Sequence, residues 1–264
     1  MRRVVPRALL VLGMLLPFVP VLAWAFTAEW RFPAVLPQRG STRGARLLFD
    51  PASEVLQGLT TSLILGVAVS VIATAVGLSA GRAIGLYQFR GKRLVQFLLL
   101  APAIVPGLAV TLGIQVFFLR YGLAGTIPGV VLVQLVPTVP YVTLVLGSAY
   151  ANFDTTYEEQ ARTLGAGPLR TFWHVTLPVL RPSIIVAAFF AFLISWSEYI
   201  LTLLIGGGTV KTLPLLLFAY IGSSDLNLAA ALAVLFVLPP LLLVLVTSRY
   251  LTGSSNAGIG FGQL

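Results

Sequence analysis

Apolar positions fall into six stretches that approach or exceed the ~20 residues a helix needs to cross a bilayer. They lie near 8–28, 59–81, 94–119, 128–150, 183–205 and 229–250. Between the fourth and fifth runs the longest polar interruption of the second half, Asp154 to Pro182. Its pattern predicts two short helices. Thr155 and, three residues on, Glu158 have the spacing of a capping box, so a helix should begin there, and Gly165 and Gly167 can supply the left-handed positions that end it. A second helix can start at Pro168, whose missing N–H costs nothing in a first turn, with Leu169, Phe172, Trp173 and Thr176 at i, i+3, i+4 and i+7. On the first helix Ala161 and Gly165 leave a side of small residues that another backbone could approach closely. Glu158 and Arg162 are placed to pair on the other side. The stretch reads as a helix-turn-helix in a loop, with a surface suited to docking.

Composition turns the apolar stretches into membrane spans. Hydrophobic residues make up 58% of the 264 and charged residues 9%, against about 25% charged in a soluble domain. The expected fold is therefore an all-α integral membrane protein of six transmembrane helices. It reads as one domain over 1–264, with a core at 59–250 and a cytoplasmic helix-turn-helix loop at 151–182; no internal repeat is evident. Cysteine is absent, which removes disulfides, thiolate metal sites and cysteine nucleophiles. The net charge of +9 would suggest nucleic acid in a soluble protein, but here it reports topology. With both termini cytoplasmic, eleven of the 17 Lys and Arg fall on inner segments and six on outer ones, as the positive-inside rule asks. Ala23-Trp24-Ala25 has the small-x-small form of a signal cleavage site. The first stretch is nevertheless expected to stay as a helix, since six spans keep both ends on one side. The outer segment from Glu29 to Gly58 carries four arginines against the trend, and is expected to be irregular with a short helix near Pro51 to Leu56.

Little in the chain suggests catalysis. A Walker A loop needs Gly-x4-Gly-Lys-Ser/Thr, and the two lysines, Lys92 and Lys211, lie in no such setting; the chain is not expected to be an enzyme. His174 is the sole histidine and reads as a satisfied interfacial side chain. An intramembrane serine protease using Ser195 or Ser197 with His174 would be an alternative class, but no Gly-rich oxyanion loop flanks those serines. Proline interrupts the spans at Pro102 and Pro106, at Pro137 and Pro140, and at Pro239 and Pro240. Each frees a carbonyl that lipid cannot satisfy, so these sites should face other helices or a water-filled cavity. Glu198, in Ser195-Trp196-Ser197-Glu198-Tyr199, is the one acid placed inside a span, which makes it a candidate for the solute pathway or its gate. Gly206 to Gly208 read as a loop with unusual backbone angles.

Glu159-Gln160-Ala161, three residues, Gly165, nine residues, then Val175-Thr176-Leu177-Pro178 resembles the EAA signature (Glu-Ala-Ala-x3-Gly-x9-Ile-x-Leu-Pro) of permease subunits of type I ABC importers. Gln160 and Val175 depart mildly from it. The run Ala101-Pro-Ala-Ile-Val-Pro-Gly-Leu is similar to the corresponding helix of polyamine, thiamine and ferric-iron type permeases, and Trp196 to Tyr199 to a segment shared among them. The resemblance implies a half-transporter in the bacterial inner membrane, surrounded by lipid, that pairs with a second permease subunit. It implies two cytoplasmic ATPase subunits, which hold the ATP and Mg, and an extracytoplasmic solute-binding protein. This chain would bind no cofactor, metal or nucleic acid itself. By the same resemblance Glu158, Glu159, Ala161, Arg162, Gly165, Pro168, Leu177 and Pro178 would couple to the ATPase. Pro102, Pro106, Trp196, Glu198 and Tyr199 are the candidates for the translocation pathway. The solute would be small and polar or cationic, of polyamine type. A secondary transporter or channel is the remaining alternative, and would not need the Glu159-to-Pro178 spacing.

Overall fold

A computed structural model describes residues 13, 16–31, 33–104 and 107–253. In chain order they form α1 (Phe18–Ala25), β1 (Thr27–Glu29), β2 (Arg39–Gly40), α2 (Arg43–Leu48), a 3-10 turn at Pro51–Ser53 and α3 (Val55–Leu86). Next come α4 (Lys92–Ile104), α5 (Gly107–Arg120), α6 (Ile127–Ala151), α7 (Thr156–Thr163), α8 (Pro168–Thr171) and a π-helical turn at Phe172–Thr176. The order ends with α9 (Leu177–Trp196), α10 (Ile200–Gly206), α11 (Leu213–Gly222) and α12 (Leu226–Gly253). Among the described residues four continuous helices are long and apolar enough to cross a membrane: Val55–Leu86, Ile127–Ala151, Pro168–Trp196 and Leu226–Ser248.

The other expected spans are interrupted or partly outside the description. The 94–119 stretch is two helices of 13 and 14 residues; Pro106 lies between them, outside the described residues. Of the 8–28 stretch, α1 is the main described part. The 183–205 stretch is shifted: its helix reaches back through the π turn to Pro168, holds Pro182 in its interior, and stops at Trp196. The second helix of the predicted hairpin is thus the end of a span rather than a separate element. Pro178 lacks an N–H and its ring crowds the carbonyl four residues back, a conflict that the wider π turn just before it relieves.

The chain divides into two compact units, Met1–Ser62 with Lys211–Leu242, and Leu63–Val210 with Leu243–Leu264. In the first, β1 and β2 pair antiparallel with Thr27 opposite Gly40. Buried Asn227 donates from Nδ2 to the carbonyls of Trp24, Ala25 and Thr27 at 3.0, 3.1 and 2.9 Å, and Ala25, Ala230 and Ala231 form a small core. The helix expected near Pro51 to Leu56 is the 3-10 turn, closed by Asp50 accepting the Ala52 N–H at 2.9 Å. Neither α2 nor the strand pair was legible in the pattern.

In the second unit α6 is central, with Val130, Val133, Val142 and Leu146 buried. Helix α3 lies against it along Gly77, Gly81 and Gly85. A Cβ at Gly81 would stand 2.9 Å from the Gly147 nitrogen, and one at Gly85 2.6 Å from the Gly147 oxygen. Glycine spaced by four lets two membrane helices touch backbone to backbone, where dispersion rather than the hydrophobic effect holds them. That contact seats the end of α3 beside Tyr150, and so places Arg82.

Candidate functional site

The first helix of the hairpin, α7, is opened by Asp154, whose carboxylate accepts the Thr156 N–H at 2.9 Å and bonds the Thr156 hydroxyl. These bonds hold the Asp154 carboxyl below its usual range. Thr155 is helical and caps nothing, so the Thr155–Glu158 capping box is not formed. The reason is that Glu158 is engaged elsewhere. At the other end Gly165 has φ +85°. Its N–H reaches the Arg162 carbonyl at 2.9 Å and the Ala166 N–H the Ala161 carbonyl at 3.0 Å, the two bonds of a Schellman close. Gly167 was expected to be left-handed too, but has φ −68° and ψ 164°. It is the extended residue that precedes α8, which starts at Pro168 as the sequence implied.

Glu158 is 4% exposed. Arg82, from α3, donates to both its oxygens, Nη1 to Oε1 at 2.7 Å and Nη2 to Oε2 at 2.6 Å. The Thr176 hydroxyl, from the π turn, adds a bond to Oε1 at 2.5 Å. The Glu158–Arg162 pair read from the sequence exists at 3.7 Å, but it is a longer contact from a side chain half in solvent. The Arg82 hydrogen bonds, outweighing burial and helped by Thr176 and the Arg82 and Arg162 charges, hold the Glu158 carboxyl at about 2. The Arg82 guanidinium also sits over the Tyr150 ring, 5.7 Å from its centroid.

The opposite side of the hairpin is open. Glu159, Arg162, Gly165, Pro168 and Pro178 are exposed, and Ala161 and Leu177 half-buried. Leu164 at 88% and Leu169 at 72%, with Tyr157 and Trp173, are large apolar side chains in solvent. A Cβ at Gly165 would meet no atom within 4 Å. Leu177 and Pro178 line an apolar groove of about 400 Å³ with Arg181, Ile184 and Ile185. The eight sequence-named coupling residues thus share the hairpin, but Glu158 faces inward while Glu159 faces out.

The pathway candidates are more scattered. Helix α9 stops after Trp196, and Glu198 lies in the three-residue break before α10 rather than within a continuous helix. Its Oε1 accepts the Leu201 N–H at 2.9 Å, so the acid caps the helix that follows. Trp196 is 2% exposed and stacks on Phe192 at 5.5 Å, inside its unit. Tyr199 is half-buried beside Glu198, and Pro102 is half-buried in α4. The protease constellation does not assemble. Ser195 donates to Gln134 at 2.5 Å, Ser197 to the Leu193 carbonyl at 2.9 Å, and His174 Nδ1 is 3.0 Å from the Arg170 carbonyl.

Two groups escaped the sequence reading. Arg82 belongs to the anchor of Glu158, and the spacing Gly77-x3-Gly81-x3-Gly85 around it was a usable sign of a tight helix contact. Gln134, fully buried, joins Ser195 to Thr202 through its amide, donating to Thr202 at 2.9 Å, and ties α10 to α6 across the break. A buried Gln in a span was the available signal.

The family described as "binding-protein-dependent transport system inner membrane component" matches residues 73–253. The molybdenum transport system permease protein ModB of Mycobacterium tuberculosis is 30% identical over 253 residues, covering 88% of this chain and 89% of that one. The molybdate/tungstate permease protein WtpB of Pyrococcus abyssi is 28% identical over 80% of this chain and 84% of its own. The spermidine/putrescine permease protein PotC of Haemophilus influenzae is 25% identical over 76% and 78%. Among solved structures, a bacterial ABC transporter involved in the import of the acidic polysaccharide alginate superposes with a TM-score of 0.68 at 16% identity, over 93% of this chain and 94% of that one. The fold is that of an ABC importer permease, and the chain belongs to the binding-protein-dependent transport system inner membrane component family.

Proposed function

We propose that this permease forms one half of the translocation pathway of an ATP-driven importer in a bacterial inner membrane, with both termini cytoplasmic and the 151–182 hairpin docked on an ATPase subunit. A second permease subunit supplies the other half. Two ATPase subunits bind the ATP and Mg, and an extracytoplasmic binding protein delivers solute. The observation that carries this reading is the exposed end of the hairpin. A small helix ends in a glycine with open space around it, and the same hairpin exposes Leu164, Leu169 and Trp173, apolar side chains that water disfavours and a partner would cover. ATP binding would favour one arrangement of the ATPase pair, and the docked hairpins would carry that preference to the spans. The polyamine reading of the solute rests on sequence resemblance, while relatives are named for metal oxyanions, polyamines and sugars; what these have in common is polarity.

Gly165→Arg tests the docking. It forces a side chain into a left-handed position at a cost of about 1 kcal/mol or more and fills the open space with a long cation. The variant should accumulate in the membrane normally but lose the co-purifying ATPase subunit, or keep it without binding-protein-stimulated hydrolysis. Wild-type behaviour in both would remove the hairpin from the coupling role.

A further inference from the structure

We propose that Arg82, acting through Glu158, is the positioning residue that makes the hairpin and helix α3 one moving part, so that a displacement of the docking face reaches a membrane span directly. The proposal rests on the reading of the hairpin as the ATPase-docking element. Helix α7 has eight residues and Glu158 is the one that is buried. A helix that short has little stability of its own, and this one lacks the apolar face that normally holds a helix to its neighbours. It is joined to α6 and α8 by loops of four residues each, Asn152 to Thr155 and Leu164 to Gly167. Loops transmit displacement poorly. A non-covalent tie is needed, and the carboxylate is that tie.

The geometry of the tie suits the task. Two parallel N–H···O bonds at 2.7 and 2.6 Å fix orientation as well as distance, which a single bond or a lysine would not. The third bond, from Thr176, brings the π turn ahead of α9 to the same carboxylate. Three elements therefore meet on one buried group: α3 through Arg82, the docking helix through Glu158, and the root of α9 through Thr176. Arg82 is itself held, because Gly81 and Gly85 on either side of it press α3 against the α6 backbone and the guanidinium rests over Tyr150. Glu159, next in sequence, is exposed and left for the partner.

The test uses the full transporter in reconstituted membranes, with Arg82→Gln, Glu158→Gln, Arg82→Lys and the exchanged pair Arg82→Glu/Glu158→Arg. The docking face is untouched in all four, so each should keep the ATPase subunit on co-purification. The ratio of hydrolysis with and without the binding protein should fall roughly tenfold in either Gln variant, the scale of coupling across a buried charged pair. Arg82→Lys, which keeps the charge and loses the fork, should fall between, and the exchanged pair should recover part of the loss. A normal ratio in Arg82→Gln would overturn the proposal. So would loss of the ATPase subunit in both Gln variants, since the pair would then merely hold the hairpin's fold. Should Gly165→Arg also leave the ATPase subunit bound and stimulated, the docking reading fails instead.

Discussion

Two interruptions of the second unit have the same local grammar and opposite outcomes. Each holds a short helix, α7 or α10, with a glutamate near its start and a left-handed glycine after its end, Gly165 at φ +85° and Gly207 at φ +55°. The sequence assigns Glu158 a local cap within the coupling loop, and the position of Glu198 in an apolar stretch makes it a candidate for the solute pathway. In the structure Glu198 is the one that caps, and Glu158 is not. Glu198 turns back onto its own helix and accepts the Leu201 N–H, where the helix dipole favours a negative charge. Glu158 turns away from its helix to a cation on another one. A carboxylate beside an N-terminus is thus a cap by default. It becomes a tether when a partly buried guanidinium is within reach, because a charge-assisted fork is roughly twice as strong as a neutral hydrogen bond.

The sharpest way to break this comparison is to remove each carboxylate in turn. Glu158→Ala leaves Arg82 largely buried without its counter-charge and should cost about 3–5 kcal/mol, the usual penalty for halving a buried pair. Glu198→Ala removes a cap and should cost about 0.5–2 kcal/mol. Thermal unfolding in detergent, followed by size-exclusion recovery, ranks the two. Equal losses would mean that Glu158 is no more than a cap. In the same assay Glu158→Gln should recover little, since a neutral amide offers Arg82 one acceptor and no charge.

What the sequence made legible was local. Gly165 and the start at Pro168 follow from rules that look a few residues either way, and each stands where those rules put it. Of the loop read at Gly206 to Gly208, Gly207 and Gly208 have positive φ, while Gly206 is the last residue of α10. The Arg82 anchor and the Gln134 network depend on residues 76 and 61 to 68 positions apart, and the first unit's Asn227 contacts on residues 200 to 203 apart, which no window spans. The break at Ser197–Tyr199 was missed for a different reason. It holds neither Pro nor Gly, and the apolar runs on either side of it merge into one stretch of span length. The helix stops where Ser197 bonds the Leu193 carbonyl with its hydroxyl and Glu198 supplies the next helix with a cap.

Acid sharpens the comparison further. Glu158 is held at about 2 against an ordinary value of 4.5, so its native carboxylate binds its proton more weakly than the unfolded one. A depressed carboxyl of this kind contributes its full stabilisation above about pH 4.5 and loses it as pH falls toward 2. The whole effect is on the order of 3 kcal/mol, from 1.36 kcal/mol per unit. Protection factors of the α7 amides against hydrogen exchange should therefore be flat from pH 8 to 5 and drop between 4.5 and 2. In Glu158→Gln the drop should be absent, because the titrating group is gone. A drop centred near pH 6 would point to some other group.

The smallest expected effect separates two glycines that spacing alone treats as equivalents. Gly165 and Gly167 both stand in open space, where a Cβ would meet nothing within 4 Å, so packing cannot distinguish a substitution at one from the same substitution at the other. Backbone conformation can. At φ +85° Gly165 lies where an L-residue pays roughly 1 kcal/mol, and Gly165→Ser should lower the unfolding free energy by about that much. At φ −68° and ψ 164° Gly167 lies where any residue is at ease, immediately before the first turn of α8. Gly167→Ser reduces the freedom of the unfolded chain and offers a hydroxyl to the unpaired N–H groups of that turn. It should leave stability unchanged or raise it by up to about 1 kcal/mol. Matched unfolding curves of the two serine variants are the measurement. A loss at Gly167 as large as that at Gly165 would show that the turn needs two left-handed residues, and that the hairpin in the membrane departs from the geometry on which the docking face and the Glu158 tether both depend.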